Sequence, residues 1–219
     1  MSTKADVQAR VQSKLFDLKY QLFAYGSHHN NPWNVGIHIT CVPLILWTAL
    51  VWASKTGPLV QGPSVAAVAA GKPLAVLADK IFRHAPPNLA FLIMTGYVAY
   101  YIKLDKVAGL LTAPFFFGLA KTATTFAATN PNANKIAAYI HVVSWILQFI
   151  GHGVAEKRAP KLLDNVVQAV VLAPYFVVYE VLFWFGYRPQ LKAELDVLIK
   201  EDIAAFRARK AGQNKDKTN

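Results

Sequence analysis

The chain has one cysteine, Cys41, so an intrachain disulfide is excluded. Acidic residues are scarce: 12 Asp and Glu stand against 23 Lys and Arg, and charged residues make up only 16% of the chain. There is no glycine-rich phosphate loop, no HExxH, and no strand-turn-helix elbow around a serine such as Ser144. Nucleotide-phosphate binding and serine or cysteine nucleophile chemistry therefore lose their usual signatures. The first 20 residues mix charge with apolar side chains and contain no separate apolar stretch, so no cleavable signal peptide is expected. Internal repeats and low-complexity domains are missing as well, and the sequence carries no signal of oligomeric state.

What is present is apolar bulk, 54% of the residues, gathered into long blocks. Residues 35–53 carry one histidine, two threonines, one cysteine and no full charge. As a helix this block would rise about 28 Å, close to the thickness of a hydrocarbon core. Further blocks run over 88–104, 107–128, 136–155 and 166–187, each too long for a strand. The expected fold class is all-α: a polytopic helical membrane bundle. Before it, Val7, Val11, Leu15, Leu18 and Leu22 recur at helical spacing with Lys4, Arg10, Lys14 and Lys19 on other faces, which predicts an N-terminal amphipathic helix. The expected organisation is one membrane domain over 1–190, with a proline-rich interruption at 56–87 that is interfacial or looped, followed by a basic C-terminal tail at 191–219.

The net charge of +11 is concentrated near the two ends. Basic residues flank apolar spans and are not interleaved with stacking aromatics, so the expected partner is membrane lipid and not nucleic acid. By the positive-inside tendency both termini should be cytosolic, which requires an even number of crossings. With five apolar blocks, one must be interfacial or re-entrant. Lys121 makes 107–128 the first to question, and the histidines of 136–155 make that block the second.

Polar residues inside these blocks carry the chemistry. In a regular helix, His141, Trp145, Gln148, His152 and Glu156 fall within about 80° of one another, opposite aliphatic Val143, Ile146, Ile150 and Val154. Such a stripe is costly against lipid and belongs against the bundle interior, either as a functional site or as a hydrogen-bond network tying helices together. His141 and His152 lie about 16 Å apart along a helix and cannot share one ion; His152 and Glu156, one turn apart, can.

Further ligands are available in YGSHHNNPWNVGIH, residues 25–38. Asn31 before Pro32 is a helix start, which leaves His28 and His29 in the connection and puts Asn34 and His38 one turn apart on the new helix. A folded-back connection would bring His28 or His29 toward His38, and the other of the pair is expected to be an exposed loop histidine. With His152 and Glu156 this makes a histidine-rich site suited to non-haem iron, or less specifically to zinc. His84 reads as an ordinary surface residue, and His141 as a residue behind the site or a structural one. Glu180, among aromatics, should be protonated, ion-paired or close to the metal site.

The pattern H-x-x-P-x-N-x-x-x-H from His29 to His38, followed by Pro43, together with WILQFIGHGVAEKRAP and DNVVQAVVLAPYFVVYE, resembles the membrane-bound 2-hydroxy fatty acid dioxygenases of fungi and their bacterial and plant relatives. The resemblance covers roughly residues 15–190. It implies an Fe(2+)-dependent dioxygenase of the endoplasmic reticulum membrane that uses O2 to shorten a 2-hydroxy fatty acid by one carbon, a step in phytosphingosine breakdown. It also implies that the family's histidines correspond to His29, His38 and His152, with Asn34, Gln148, Glu156 and Glu180 at other motif positions. Lys157, Arg158 or Arg188, near helix ends, would attract the substrate carboxylate or serve as positive-inside anchors. Two readings of other classes remain open on the residues alone: a non-catalytic membrane scaffold or lipid-binding protein, and a bis-histidine haem electron carrier.

Overall fold

The computed structural model describes residues 14–156 and 166–216, and the chain is helical throughout with no strand among the described residues. The helices are α1 Leu18–Gly26, α2 Pro32–Ser54, α3 Val65–Ala69, α4 Pro73–His84, α5 Leu89–Leu104, α6 Lys106–Thr129, α7 Ala133–Ile150, α8 Val166–Trp184 and α9 Pro189–Asp216. A π-helical turn, Gly151–Glu156, directly extends α7. Among the described residues, three helices are long and apolar enough to cross a membrane: Pro32–Ser54, Lys106–Thr129, and α7 with its π turn, Ala133–Glu156. These fit a multi-pass membrane protein. Residues 170–184 and 189–212 pass the same test only as a pair bent by 117°. Helix α5, with 16 residues, reaches about 24 Å, short of a full hydrocarbon core.

Lys121 does not interrupt its block: α6 is an unbroken helix of 24 residues, with Pro114 inside it. The interruption at 56–87 contains α3 and α4, neither with a buried residue. His84 is exposed there, its Nδ1 donating to the Lys80 carbonyl at 2.9 Å. The N-terminal amphipathic helix differs from its expected form. Its first turns lie outside the described residues, as do Lys157 and Arg158, and α1 starts afresh at Leu18. Asp17 causes the break, because its side chain accepts a hydrogen bond from the Tyr20 amide and caps a new helix.

The chain divides into two compact units. One comprises the residues up to Val42 and from Leu147 onward, the other Pro43–Ile146. In the first unit α1 packs on α8 and α9. Leu195 and Ile199 of α9 are buried, and Gly26 of α1 lies so close to Ile199 that a Cβ there would stand 2.6 Å from its Cδ1. The segment expected as a basic tail is thus helical and joined to the unit by an apolar face, with Lys19 and Glu194 paired at 2.6 Å outside it.

In the second unit α5 and α6 form a hairpin with a single residue between them. Asp105 ends α5 and caps α6, its Oδ1 accepting from the Val107 and Ala108 amides at 3.0 and 3.4 Å. Small residues let the helices approach closely. A Cβ on Gly109 would meet backbone atoms of Ile102 at 2.5 and 2.6 Å, and Ala108, Ala120 and Ala123 are fully buried. Backbone cannot swing aside as a side chain can. Gly109→Ala is therefore expected to lower the stability of the detergent-solubilised protein by about 1–3 kcal/mol, read from thermal unfolding. Gly118→Ala, with nothing within 4 Å of its Cβ position, should be neutral or stabilising by up to about 1 kcal/mol.

Candidate metal centre

Three histidines from three elements converge in the first unit. His29 follows α1, His38 lies in the second turn of α2, and His152 lies in the π turn. One ring nitrogen from each lies within 4.8 Å of the others. All three are buried, at 5%, 2% and 5% exposure. Their ring centroids are 4.4, 4.7 and 5.0 Å apart, with planes nearly perpendicular.

The tautomers follow from hydrogen bonding. His29 Nδ1 lies 2.9 Å from the Tyr25 carbonyl, and His38 Nδ1 lies 2.9 Å from the Asn34 carbonyl. A carbonyl only accepts, so both Nδ1 atoms carry the proton and donate. In the neutral rings both Nε2 atoms then present lone pairs, and these two nitrogens face each other at 3.2 Å. Burial first, then the neighbouring His38 and His152 rings, hold His29 well below its ordinary histidine value. A proton between the rings is therefore disfavoured. A metal ion suits the gap: at Zn–N or Fe–N lengths near 2.1 Å, ligands at right angles stand about 3 Å apart. Orientation of the outer ring nitrogen by a backbone carbonyl is the usual support for a metal-bound histidine.

Local structure explains these positions. The chain leaves α1 in a tightening turn, with the His28 amide donating to the Tyr25 carbonyl and the His29 amide to Gly26. Tyr25 stacks on His29 at 4.0 Å and on Phe176 at 4.3 Å, which fixes the imidazole plane. Asn31 caps α2 as expected, its Oδ1 accepting from the Trp33 amide at 3.0 Å. The π turn then departs from the regular helix assumed for 141–156. Such turns carry i→i+5 bonding and recur at functional sites, and this one holds both His152 and Glu156.

Glu156 lies outside the three-histidine group. Its Oε1 accepts from the Asn30 amide at 2.7 Å, the Asn31 amide at 2.8 Å and Asn34 Nδ2 at 3.1 Å. The carboxylate thus sits at the start of α2 and ties the His29 loop and the His38 helix to the His152 turn. Asn34, fully buried, completes the link, because its carbonyl orients His38. Gln148 is buried one turn before His152. Among the described residues, three buried side-chain atoms have no hydrogen-bond partner: Asn34 Oδ1, Gln148 Nε2 and His152 Nδ1. They belong to the same motifs as the cluster.

The remaining expected residues fall elsewhere. His141 is satisfied within the second unit, with Nδ1 2.7 Å from Thr48 Oγ1 and Nε2 accepting from Trp145 Nε1 at 3.0 Å. It is not part of the cluster. The expectation of one exposed histidine in the His28–His29 pair fails: both are buried, and His28 Nδ1 turns to Ser27 Oγ at 3.0 Å. The tightened turn after α1 buries both rings. Glu180 lines a cavity of about 100 Å³ with His29, Lys192 and Asp196, and Lys192 pairs with Asp196 at 2.5 Å. Arg188 turns to Tyr187, its Nε donating to the Tyr187 hydroxyl at 3.3 Å. Two residues escaped sequence reasoning. Tyr25 was signalled by its position four before His29. Gly151 is needed because a Cβ there would stand 2.5 Å from Asn34 Oδ1.

Comparison with known proteins follows the same residues. The family described as 2-hydroxy-palmitic acid dioxygenase Mpo1-like matches residues 15–184. The 2-hydroxy-palmitic acid dioxygenase MPO1 of Saccharomyces cerevisiae is 35% identical over 184 residues, which cover 83% of this chain and 89% of the yeast protein. No solved structure matches the chain significantly.

Two outcomes are expected. Gly151→Ala must displace the wholly buried Asn34 side chain, so it should cost about 1–3 kcal/mol of stability and lower metal content, measured by thermal unfolding and elemental analysis. Gly153→Ala, with open space around its Cβ position, should change neither. The second concerns acid. His29 has a depressed value when folded and an ordinary one, near 6.5, when unfolded. Its contribution to stability is complete above about pH 6.5 and is lost as pH falls toward the folded value. Denaturation midpoints of the metal-free protein should accordingly decline from pH 6.5 downward and be flat above it.

Proposed function

Because this chain belongs to the Mpo1-like family of 2-hydroxy-palmitic acid dioxygenases, we propose that it is an iron(II)-dependent dioxygenase converting 2-hydroxy fatty acids to the acid one carbon shorter. The observation that carries the reading is the pair of Nε2 lone pairs held face to face at 3.2 Å by backbone carbonyls, which calls for a cation. His29, His38 and His152 are the proposed ligands.

The chemistry balances without an external reductant: RCH(OH)COOH + O2 gives RCOOH + CO2 + H2O. The bond between C1 and C2 breaks, the substrate gives up four electrons, and O2 takes all four. When bound, iron(II) supplies the redox centre and the open positions at which O2 and a chelating hydroxy acid can meet. Three neutral imidazoles bring no negative charge. An anionic substrate that binds through carboxylate and hydroxyl supplies it, which favours a 2-hydroxy acid over a neutral alcohol. Gln148 Nε2, a buried donor without a protein partner, is proposed to donate to a substrate oxygen. Glu156 and Asn34 act as positioning residues: they hold the loop, the helix start and the π turn in register.

The haem reading fits poorly, since His29 Nε2 and His38 Nε2 meet at 3.2 Å and leave no room for a macrocycle between them. The apolar helices keep the acyl chain in lipid, and the exposed Trp33, at 82%, beside the site fits a position near the membrane interface. We place the protein in the endoplasmic reticulum membrane with cytosolic termini, on the basic excess at both ends, and in phytosphingosine breakdown.

The test is anaerobic purification, reconstitution with iron(II), and addition of O2 and 2-hydroxypalmitate, with mass spectrometry for pentadecanoate. One O2 consumed per pentadecanoate formed is expected. A folded, iron-loaded protein that yields no shortened acid from several chain lengths would sink the proposal. Alanine at His29, His38 or His152 should abolish both iron retention and product. Glu156→Ala should lower activity by about 10- to 100-fold through lost positioning, while Glu156→Gln, which keeps an acceptor for the three donors, should lose much less.

A further inference from the structure

Among the described residues, Asn30 of the loop that carries His29 lines two cavities. The smaller, about 100 Å³, contains Glu180, Asp196 and Lys192, a formal charge of −1 that repels a carboxylate. The larger, about 640 Å³, is bounded on one side by Asn30, Asn31 and Glu156 and on the other by α9. Its α9 wall is made by Ile203, Phe206, Arg207, Lys210 and Ala211, a spacing of three, four, seven and eight that defines a single helical face. Glu156 Oε1 already accepts from two backbone amides and the Asn34 amide, and Arg207 stands in the facing wall of the cavity.

We propose that this cavity captures the free carboxylate of the 2-hydroxy acid, with Arg207 as the capture residue and Ile203 and Phe206 receiving the adjoining methylenes. This rests on the function proposed above and extends it to how the substrate is recognised before it reaches the histidines. Position supports it. Asn30 and Asn31 directly follow His29, and Glu156 closes the turn that begins beside His152, so the cavity is walled by two of the chain segments that bear the cluster. The chemistry also matches, for an arginine fork recognises a carboxylate in two parallel hydrogen bonds, and an apolar shelf beside a cation is what an ionised fatty acid presents in reverse. These α9 residues lie beyond the stretch matched by the family, residues 15–184.

Capture by an exposed cation has a signature that a structural role lacks. It raises kcat/KM without altering kcat, and it weakens as salt screens the charge. The experiment compares the iron-loaded wild type with Arg207→Gln, Arg207→Lys and Lys200→Gln, a charge-loss control on the same helix outside the cavity, in nonionic detergent over a range of salt. Thermal midpoints check folding. Arg207→Gln is expected to raise the KM for 2-hydroxypalmitate about fivefold at low salt with kcat unchanged, and to flatten its salt dependence. Arg207→Lys should recover part of the loss, and Lys200→Gln should match the wild type. Unchanged KM and salt dependence in Arg207→Gln overturn the proposal, even if that variant binds anionic vesicles less tightly. If the wild type turns over no hydroxy acid, the dioxygenase reading fails by itself. Displacement of a dansyl-labelled fatty acid by palmitate from metal-free protein still decides the capture site: weaker palmitate binding in Arg207→Gln supports it, and equal binding overturns it.

Discussion

Two imidazole nitrogens, His29 Nε2 and His38 Nε2, face each other at 3.2 Å while the opposite nitrogen of each ring is committed to a backbone carbonyl. Neither ring can relieve the contact by flipping without giving up a buried hydrogen bond, worth about 1–3 kcal/mol once its partner is stranded. The constraint therefore passes into the backbone. Tyr25 must end α1 with its carbonyl exposed to His29, and Asn34 must sit one turn before His38. These conditions are met by the last turn of α1 and the first turn of α2, and the unit around them is arranged to keep those turns fixed.

That task falls to one carboxylate oxygen. Glu156 Oε1 gathers the Asn30 and Asn31 amides and the Asn34 side chain, three donors from the two segments that present His29 and His38, and it comes from the turn that presents His152. A charged acceptor with three donors is strongly held. The π turn is what permits this. Gly151 inside it allows contact with Asn34, so the widened winding and the missing side chain act together.

Much of this was legible in the sequence. Asn31 and Pro32 announce the start of α2, the apolar blocks announce the long helices, and the spacing of His29 and His38 about that start announces a shared site. The π turn was not legible, because nothing in GHGVAE distinguishes i→i+5 from i→i+4 bonding until Asn34 is packed against Gly151. The role of Glu156 was hidden for the same reason: in a regular helix it points with His152, and only tertiary packing supplies the amides of Asn30 and Asn31. Asp17 shows the reverse failure, since apolar periodicity ran through a residue whose local capping overrides it. The α9 contacts were likewise beyond sequence reasoning. Its basic composition suggested a tail, and only the burial of Leu195 and Ile199 gives it a place.

The polar stripe of residues 141–156 admitted two readings from sequence, a functional site or a hydrogen-bond network, and it divides between them. His141 and Trp145 bond each other, and Thr48 closes the set, so every ring nitrogen of His141 has a partner. That is the arrangement expected of groups that tie apolar helices together. Gln148 and His152, one and two turns further on, each keep a buried atom unbonded, as does Asn34. An unsatisfied polar group away from water costs about as much as a lost hydrogen bond or more. The pattern of satisfaction along a single helix thus separates His141, whose ring nitrogens are both partnered, from Gln148 and His152, each with a buried atom that is not.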